Sequence, residues 1–141
     1  MTAAFVLDAS VTAGWLLPDG HSPASEHAYA RLRRGAVDAH APDLWLWECG
    51  NTIANGVRRA RVDPVWSVLD AIRTRVELFS PDAGQVRACL LLGIDHALSI
   101  HDAAYLWLAE WLGLPLLTHD ATLARAATRR AVKVLRVEDL Q

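Results

Sequence analysis

Short apolar runs alternate along this chain with longer stretches whose apolar positions recur at helical spacing, a pattern that predicts α/β architecture. The run Ala-Phe-Val-Leu with the Asp8 that closes it predicts a first strand over 4–8. A helix is expected over 10–17, stopped by Pro18-Asp19-Gly20. Ser22-Pro23 opens a second helix that runs to Arg34 and ends at Gly35. A second strand is expected over 37–41, closed by Pro42. The longest helical stretch covers 43–61, with Leu46, Cys49, Ile53 and Val57 on one face. Asp63-Pro64 reads as the start of another helix, followed by a third strand over 76–79. Helices over 82–92 and 100–112 are each stopped by a glycine, Gly93 and Gly113. A fourth strand over 114–118, a helix over 121–130 and a last strand over 132–137 complete the chain.

Strands separated by helices call for right-handed crossovers and a mainly parallel sheet of four to five strands, covered by helices on both faces. Ligands of such sheets bind beyond the carboxyl ends of the strands, near the point where strand order reverses. Asp8 and Asp120 both fall at that edge. The expectation is therefore one three-layer α/β/α domain over 1–141.

Composition narrows the class. A 52% hydrophobic and 21% charged chain of 141 residues suits a folded globular domain rather than a disordered one. No apolar stretch approaches membrane-spanning length, and Met1-Thr2-Ala3-Ala4 lacks the basic flank of a secretory signal, so a cytoplasmic address is expected. Cys49 and Cys89 alone suggest neither a disulfide framework nor a cysteine zinc site. The net charge of −2 argues against indiscriminate nucleic-acid binding. Yet thirteen of the fourteen basic residues are arginine, clustered at Arg31, Arg33 and Arg34, at Arg58, Arg59 and Arg61, and at Arg125, Arg129 and Arg130. Arginine suits bidentate phosphate recognition, and it also serves as ordinary solvated helix charge; both readings stand at this level.

The chemistry is carried by four carboxylates: Asp8, Glu48, Asp102 and Asp120. Three have an ordinary alternative as helix caps: Asp8 before the first helix, Asp120 before the helix at 121, and Asp102 as the acid of Ser99-Ile-His-Asp, a capping-box pattern. Glu48 is different, because it sits mid-helix among Trp45, Leu46, Trp47 and Cys49, where a charge needs water or a partner. Asn51, Thr52 and Asn55 follow it at helical spacing as a polar stripe. Capping and metal binding are compatible, since a helix N-terminus favours the anionic carboxylate that a cation requires. Converging acids repel and call for a cation, and an all-oxygen donor set favours Mg²⁺ or Mn²⁺ over zinc. His101 and His119, next to two of the acids, are candidates for nitrogen ligation, general-base action or phosphate contact. Six tryptophans are many for this length; Trp107 and Trp111 share a helical face suited either to the core or to an interface. A P-loop, a Gly-rich dinucleotide fingerprint and a Gly-x-Ser-x-Gly elbow are all absent from the sequence.

Val-Leu-Asp-Ala-Ser-Val at 6–11, Glu48 with Asn51, His-Asp-Ala-Ala-Tyr-Leu-Trp-Leu-Ala-Glu at 101–110 and Leu-Leu-Thr-His-Asp-Ala-Thr-Leu at 116–123 together resemble the four motifs of PIN-domain ribonucleases. The likeness is greatest to the VapC-type toxins of bacterial toxin–antitoxin modules, and it spans essentially the whole chain in the expected order. His101 and His119 depart from the family pattern, standing where many relatives carry an aromatic or a small residue. The resemblance implies a PIN-like fold and metal binding and catalysis by Asp8, Glu48, Asp102 and Asp120. It further implies Ser10 and Thr118 orienting ligands or waters, and Asn51 supporting Glu48. The implied reaction is Mg²⁺- or Mn²⁺-dependent endonucleolytic cleavage of RNA, tRNA or rRNA above all, by water activated at one or two ions. The implied partners are a small antitoxin whose tail covers the acidic pocket and a second copy of the chain. Two other readings compete. One is a PIN fold without activity that only binds RNA or protein, although a binding module gains nothing from repelling acids. The other is a phosphate-receiving signalling domain, which needs an acidic pair after the first strand and an acceptor Asp after the third.

Overall fold

A computed structural model describes residues 3–17, 20–59 and 66–140. The strands are β1 (Ala3–Leu7), β2 (Val37–Pro42), β3 (Val76–Phe79), β4 (Leu116–Leu117) and β5 (Val134–Leu135). The helices are α1 (Ala9–Leu16), α2 (Pro23–Arg33), α3 (Leu44–Arg58), α4 (Trp66–Arg73), α5 (Ala83–His96), α6 (Ile100–Leu112) and α7 (Ala121–Arg129). All five strands are parallel, in the order β3-β2-β1-β4-β5. Strand order reverses between β1 and β4, which places the carboxyl ends of those two strands at the switch point where α/β sheets bind ligands. Right-handed crossovers put the helices between β1 and β3 on one face and α5 and α6 on the other.

β1 is the central strand, and Phe5, Val6 and Leu7 are buried without alternation because helices cover both faces of the sheet. Thr12 of α1 accepts a hydrogen bond from the Trp45 indole at 3.0 Å, locking α1 to α3 inside the core. Trp45, Tyr105 and Phe5 are the largest fully buried side chains.

Several elements differ from expectation. The buried face of α3 is Trp45, Cys49, Ile53 and Gly56, whereas Leu46 and Val57 are exposed. The core therefore takes the indole of Trp45, and the stripe is rotated by about one position. β4 pairs over two residues instead of five and β5 over two instead of six, with a 3-10 turn at Val137–Leu140 after it. Pro115 has no N–H to extend the β4 ladder. The expected helix start at Asp63-Pro64, the stop at Pro18-Asp19 and Arg61 lie outside the described residues.

Gly93 does not end α5. The helix continues to His96 and stops at Ala97, which adopts the left-handed conformation (φ 54°) while the Gly93 carbonyl receives the Leu98 N–H at 2.9 Å. Gly93 is instead a close-approach site: a Cβ there would stand 2.9 Å from the Leu98 backbone oxygen and 3.5 Å from Ala103 Cβ. Gly93→Ala is expected to lower stability by about 1–3 kcal/mol in thermal unfolding, since the clash outweighs the helix preference of alanine. An unchanged or raised melting temperature would contradict that role. Gly113 does end α6, in the left-handed region at φ 66°.

Candidate active site

Asp8, Glu48, Asp102 and Asp120 line one open cleft of about 270 Å³, together with Ala9, Ser10, Ala13, Asn51 and Thr52. Each acid arrives on a different element: Asp8 just after β1, Glu48 from the first half of α3, Asp102 from the first turn of α6 and Asp120 between β4 and α7. The cleft thus opens at the carboxyl ends of β1 and β4.

Asp8 is the deepest, 4% exposed. It stands at the N-cap of α1 but makes no capping hydrogen bond. Its Oδ2 accepts from the Ser10 hydroxyl at 2.6 Å and from the Thr118 hydroxyl at 2.7 Å. Those hydroxyls are themselves aimed by backbone amides: His119 N–H donates to Ser10 Oγ and Asp120 N–H to Thr118 Oγ1, both at 3.0 Å. Capping therefore leaves the burial of Asp8 unexplained. Asp120 does cap α7, its Oδ1 accepting from the Leu123 N–H at 2.9 Å. At Asp102 the cap is Ser99, whose hydroxyl accepts the Asp102 N–H at 3.1 Å. Glu48 Oε1 accepts a 2.6 Å hydrogen bond from the Tyr105 hydroxyl.

Burial is the main force raising the pKa of Asp8, Glu48 and Asp102 above the usual carboxylate range. The acids also push on one another: Asp120 on Asp8, Asp8 and Asp102 on Glu48, and Asp120 and Asp8 on Asp102. Hydroxyl hydrogen bonds at Asp8 and Glu48 partly offset this. Cys49 is buried next to Glu48 and its thiol is pushed up to about 12, so it is held as a neutral core side chain.

Asp8, Glu48 and Asp120 each have one oxygen taken by a hydroxyl or amide donor, an arrangement that orients the other oxygen for a further partner. Among the described residues no three His, Cys, Asp or Glu side chains stand close enough to ligate one ion directly. An oxygen-only donor set at this looser spacing fits a hard cation held by one or two carboxylates and completed by water, the usual habit of Mg²⁺. The residues present fit such a group.

The other candidates sort themselves. Ser10 and Thr118 sit against Asp8. Asn51 lines the cleft, but it is Tyr105 that bonds the Glu48 carboxylate. Tyr105 escaped sequence reasoning, although a hydroxyl on an otherwise apolar stretch, one helical turn after Asp102, signals a polar tip in need of a partner. His101 and His119 are exposed and do not line the cleft. Asp82, the acid after β3, is exposed, forms a reciprocal capping box with Gln85 and does not line the cleft. Several arginines have structural work: Arg31 donates to the Leu140 carbonyl, Arg33 lies over the Tyr29 ring, and Arg130 makes a bidentate pair with Glu110 at 2.8 Å.

The sequence matches the PIN domain family over residues 5–129. The chain belongs to the PIN-domain family. A curated relative of this PIN domain, Ribonuclease VapC3 of Pyrobaculum aerophilum, is 28% identical over 128 residues, covering 84% of this chain and 91% of its own. The crystal structure of PAE2754 from the same organism superposes with a TM-score of 0.72 at 23% identity, over 99% of this chain and 95% of that one. FitAcB from Neisseria gonorrhoeae superposes at 0.61 and 18% identity, over 94% and 97%. These structures share the fold with the PIN domain described here. Among the described residues no helix is long and apolar enough to cross a membrane.

Proposed function

We propose that this PIN domain is a Mg²⁺- or Mn²⁺-dependent endoribonuclease and the toxin of a type II toxin–antitoxin pair, acting in the cytoplasm on tRNA or rRNA. The observation that carries the reading is the convergence of four carboxylates from four elements on one cleft, with buried Asp8 held by two hydroxyls instead of capping a helix. The ribonuclease name of the curated relative supports the substrate class. Asp8, Glu48, Asp102 and Asp120 would hold one or two divalent ions, which when bound would supply an activated water near neutral pH and offset charge on the scissile phosphate. Ser10 and Thr118 fix the Asp8 carboxylate, Tyr105 fixes Glu48, and the α7 N-terminus fixes Asp120. The chain thereby presents oxygens that need no rearrangement during the reaction.

Two partners complete the proposal. A shallow apolar cleft of about 480 Å³, lined by Leu46, Trp47, Gly50, Asn51 and Ala54, shares Asn51 with the acidic cleft, and Trp47 is 83% exposed. An antitoxin tail with an apolar face and a basic side chain reaching the acids fits both. α5 exposes Val86, Leu90 and Ile94 on one face, with Leu91 beside them, a surface suited to a second copy of the chain. Ile94→Asp is expected to convert a dimer to a monomer in light scattering at micromolar concentration; a monomeric wild type removes the dimer from the proposal.

Incubating the purified protein with total tRNA and rRNA tests the activity. Discrete cleavage with Mg²⁺ or Mn²⁺, abolished by chelator, is the expected result, and mapping new RNA 5′ ends after brief induction identifies the site. Chelator-insensitive cleavage, or none with either ion, would overturn the assignment.

A further inference from the structure

Glu48 is the only one of the four acids carried in a helix interior rather than at a strand end or in a helix's first turn, and it has the longest side chain. Left to itself, a partly buried glutamate at a cleft wall still samples several rotamers. Here its Oε1 is met by the hydroxyl of Tyr105 at 2.6 Å, the short separation of a charge-assisted hydrogen bond. Tyr105 has no solvent exposure, and its ring is one of the three largest side chains fully enclosed in the core. Its position is therefore set by packing, with only two side-chain torsions to fix. The same residue stands three positions after Asp102 on α6, so it shares a helical face with that acid while reaching across to α3.

From this geometry we infer that Tyr105 is a positioning residue: it anchors one oxygen of Glu48 to the core and so sets the spacing of Glu48 from Asp102, leaving Oε2 for a divalent cation. The inference rests on the metal-dependent reading proposed above and deepens it. Tyr105 touches neither ion nor RNA in this scheme. It acts through Glu48 alone.

Tyr105→Phe keeps the ring and the core volume and removes only the donor. Isothermal titration of the full chain with Mn²⁺, without RNA, is the decisive measurement. The expected result is a loss of Mn²⁺ affinity of roughly 10–100-fold, the range for groups that orient a metal's ligands. In cleavage assays kcat is expected to fall at saturating Mn²⁺ while the RNA KM stays within about twofold. In a Glu48→Gln background, Tyr105→Phe should cost nothing further, because the group it positions is gone. Glu48→Asp is an independent arm that leaves Tyr105 untouched. The shorter acid cannot keep both the Tyr105 bond and its place at the ion, so its Mn²⁺ affinity should fall similarly, and adding Tyr105→Phe should again cost little. A Tyr105→Phe protein that binds Mn²⁺ like wild type overturns the inference and leaves the metal-dependent reading standing. An equal loss in the presence and absence of the Glu48 carboxylate also overturns it, by assigning Tyr105 a general structural role. A wild type that binds no Mn²⁺ overturns both.

Discussion

Asp8→Asn is expected to reduce divalent-dependent RNA cleavage by on the order of 10³-fold while leaving the fold intact. The argument follows from where Asp8 sits. It is the most buried of the four acids, at the end of the central strand, with its backbone N–H paired to the Leu117 carbonyl at 3.0 Å. Asparagine has the same shape, and its Oδ1 can accept from the Ser10 and Thr118 hydroxyls as the carboxylate does. What is lost is a full negative charge at the floor of the cleft, which is what a hard cation needs. The variant should therefore pass every test of folding and fail the cleavage assay. Retention of wild-type activity would remove Asp8, and with it the metal-site reading, from the mechanism. The same substitution separates the nuclease from an inactive binding module, since pure RNA binding should survive it or improve as repulsion falls.

The second expectation concerns stability and pH in the absence of metal. Asp8, Glu48 and Asp102 have folded-state pKa values raised chiefly by burial and further by their neighbours' charges. A group raised in the folded state binds its proton more tightly there than in the unfolded chain. Its stabilising contribution is complete below the unfolded value, about 4 for these carboxylates, and is lost as pH rises through the raised folded value. Chelated wild type should thus lose stability relative to Asp8→Asn as pH climbs from about 4 towards neutrality, the two proteins starting nearly equal at the acid end. Adding Mg²⁺ or Mn²⁺ at neutral pH should restore the wild type. At a hundredfold excess over Kd, linkage supplies about 2.7 kcal/mol, or a rise on the order of 5–10 °C in a chain of this size. Asp8→Asn should respond little. A melting-temperature difference between the two proteins that does not change with pH would show that burial imposes no penalty on Asp8.

The elements are legible in the sequence where local signals are strong. Ser22-Pro23 and Gly113 marked helix ends that the structure keeps, and β3 occupies the expected 76–79. They are not legible where a local signal serves a distant contact. Gly93 looked like a helix stop because glycine commonly is one; its real constraint is the backbone of the α5–α6 turn pressing against it. The buried face of α3 differs from the expected one because Trp45, Leu46 and Trp47 are all apolar and periodicity cannot rank them. Only packing against Thr12 of α1 selects Trp45 for the interior and leaves Trp47 outside. The arginine clusters left phosphate contact and ordinary solvated charge equally open, and only the tertiary structure engages Arg31, Arg33 and Arg130 with a carbonyl, a ring and a carboxylate.

What the sequence determined by itself was the α/β class of the fold and the four candidate acids that the structure brings to one cleft, because strand–helix alternation is a local pattern and chemical type is written in the residues. What only the tertiary structure decided was how each acid is held. Capping and metal binding make the same demand on sequence, an acid before a helix. They part only in three dimensions, where Asp120 caps α7 while Asp8 makes no capping hydrogen bond and instead accepts from two hydroxyls, Ser10 in the first turn of α1 and Thr118, 110 residues along the chain. Tyr105 shows the same limit from the other side. Its partner lies 57 residues earlier, and a hydrogen bond between two helices leaves no periodic trace in either.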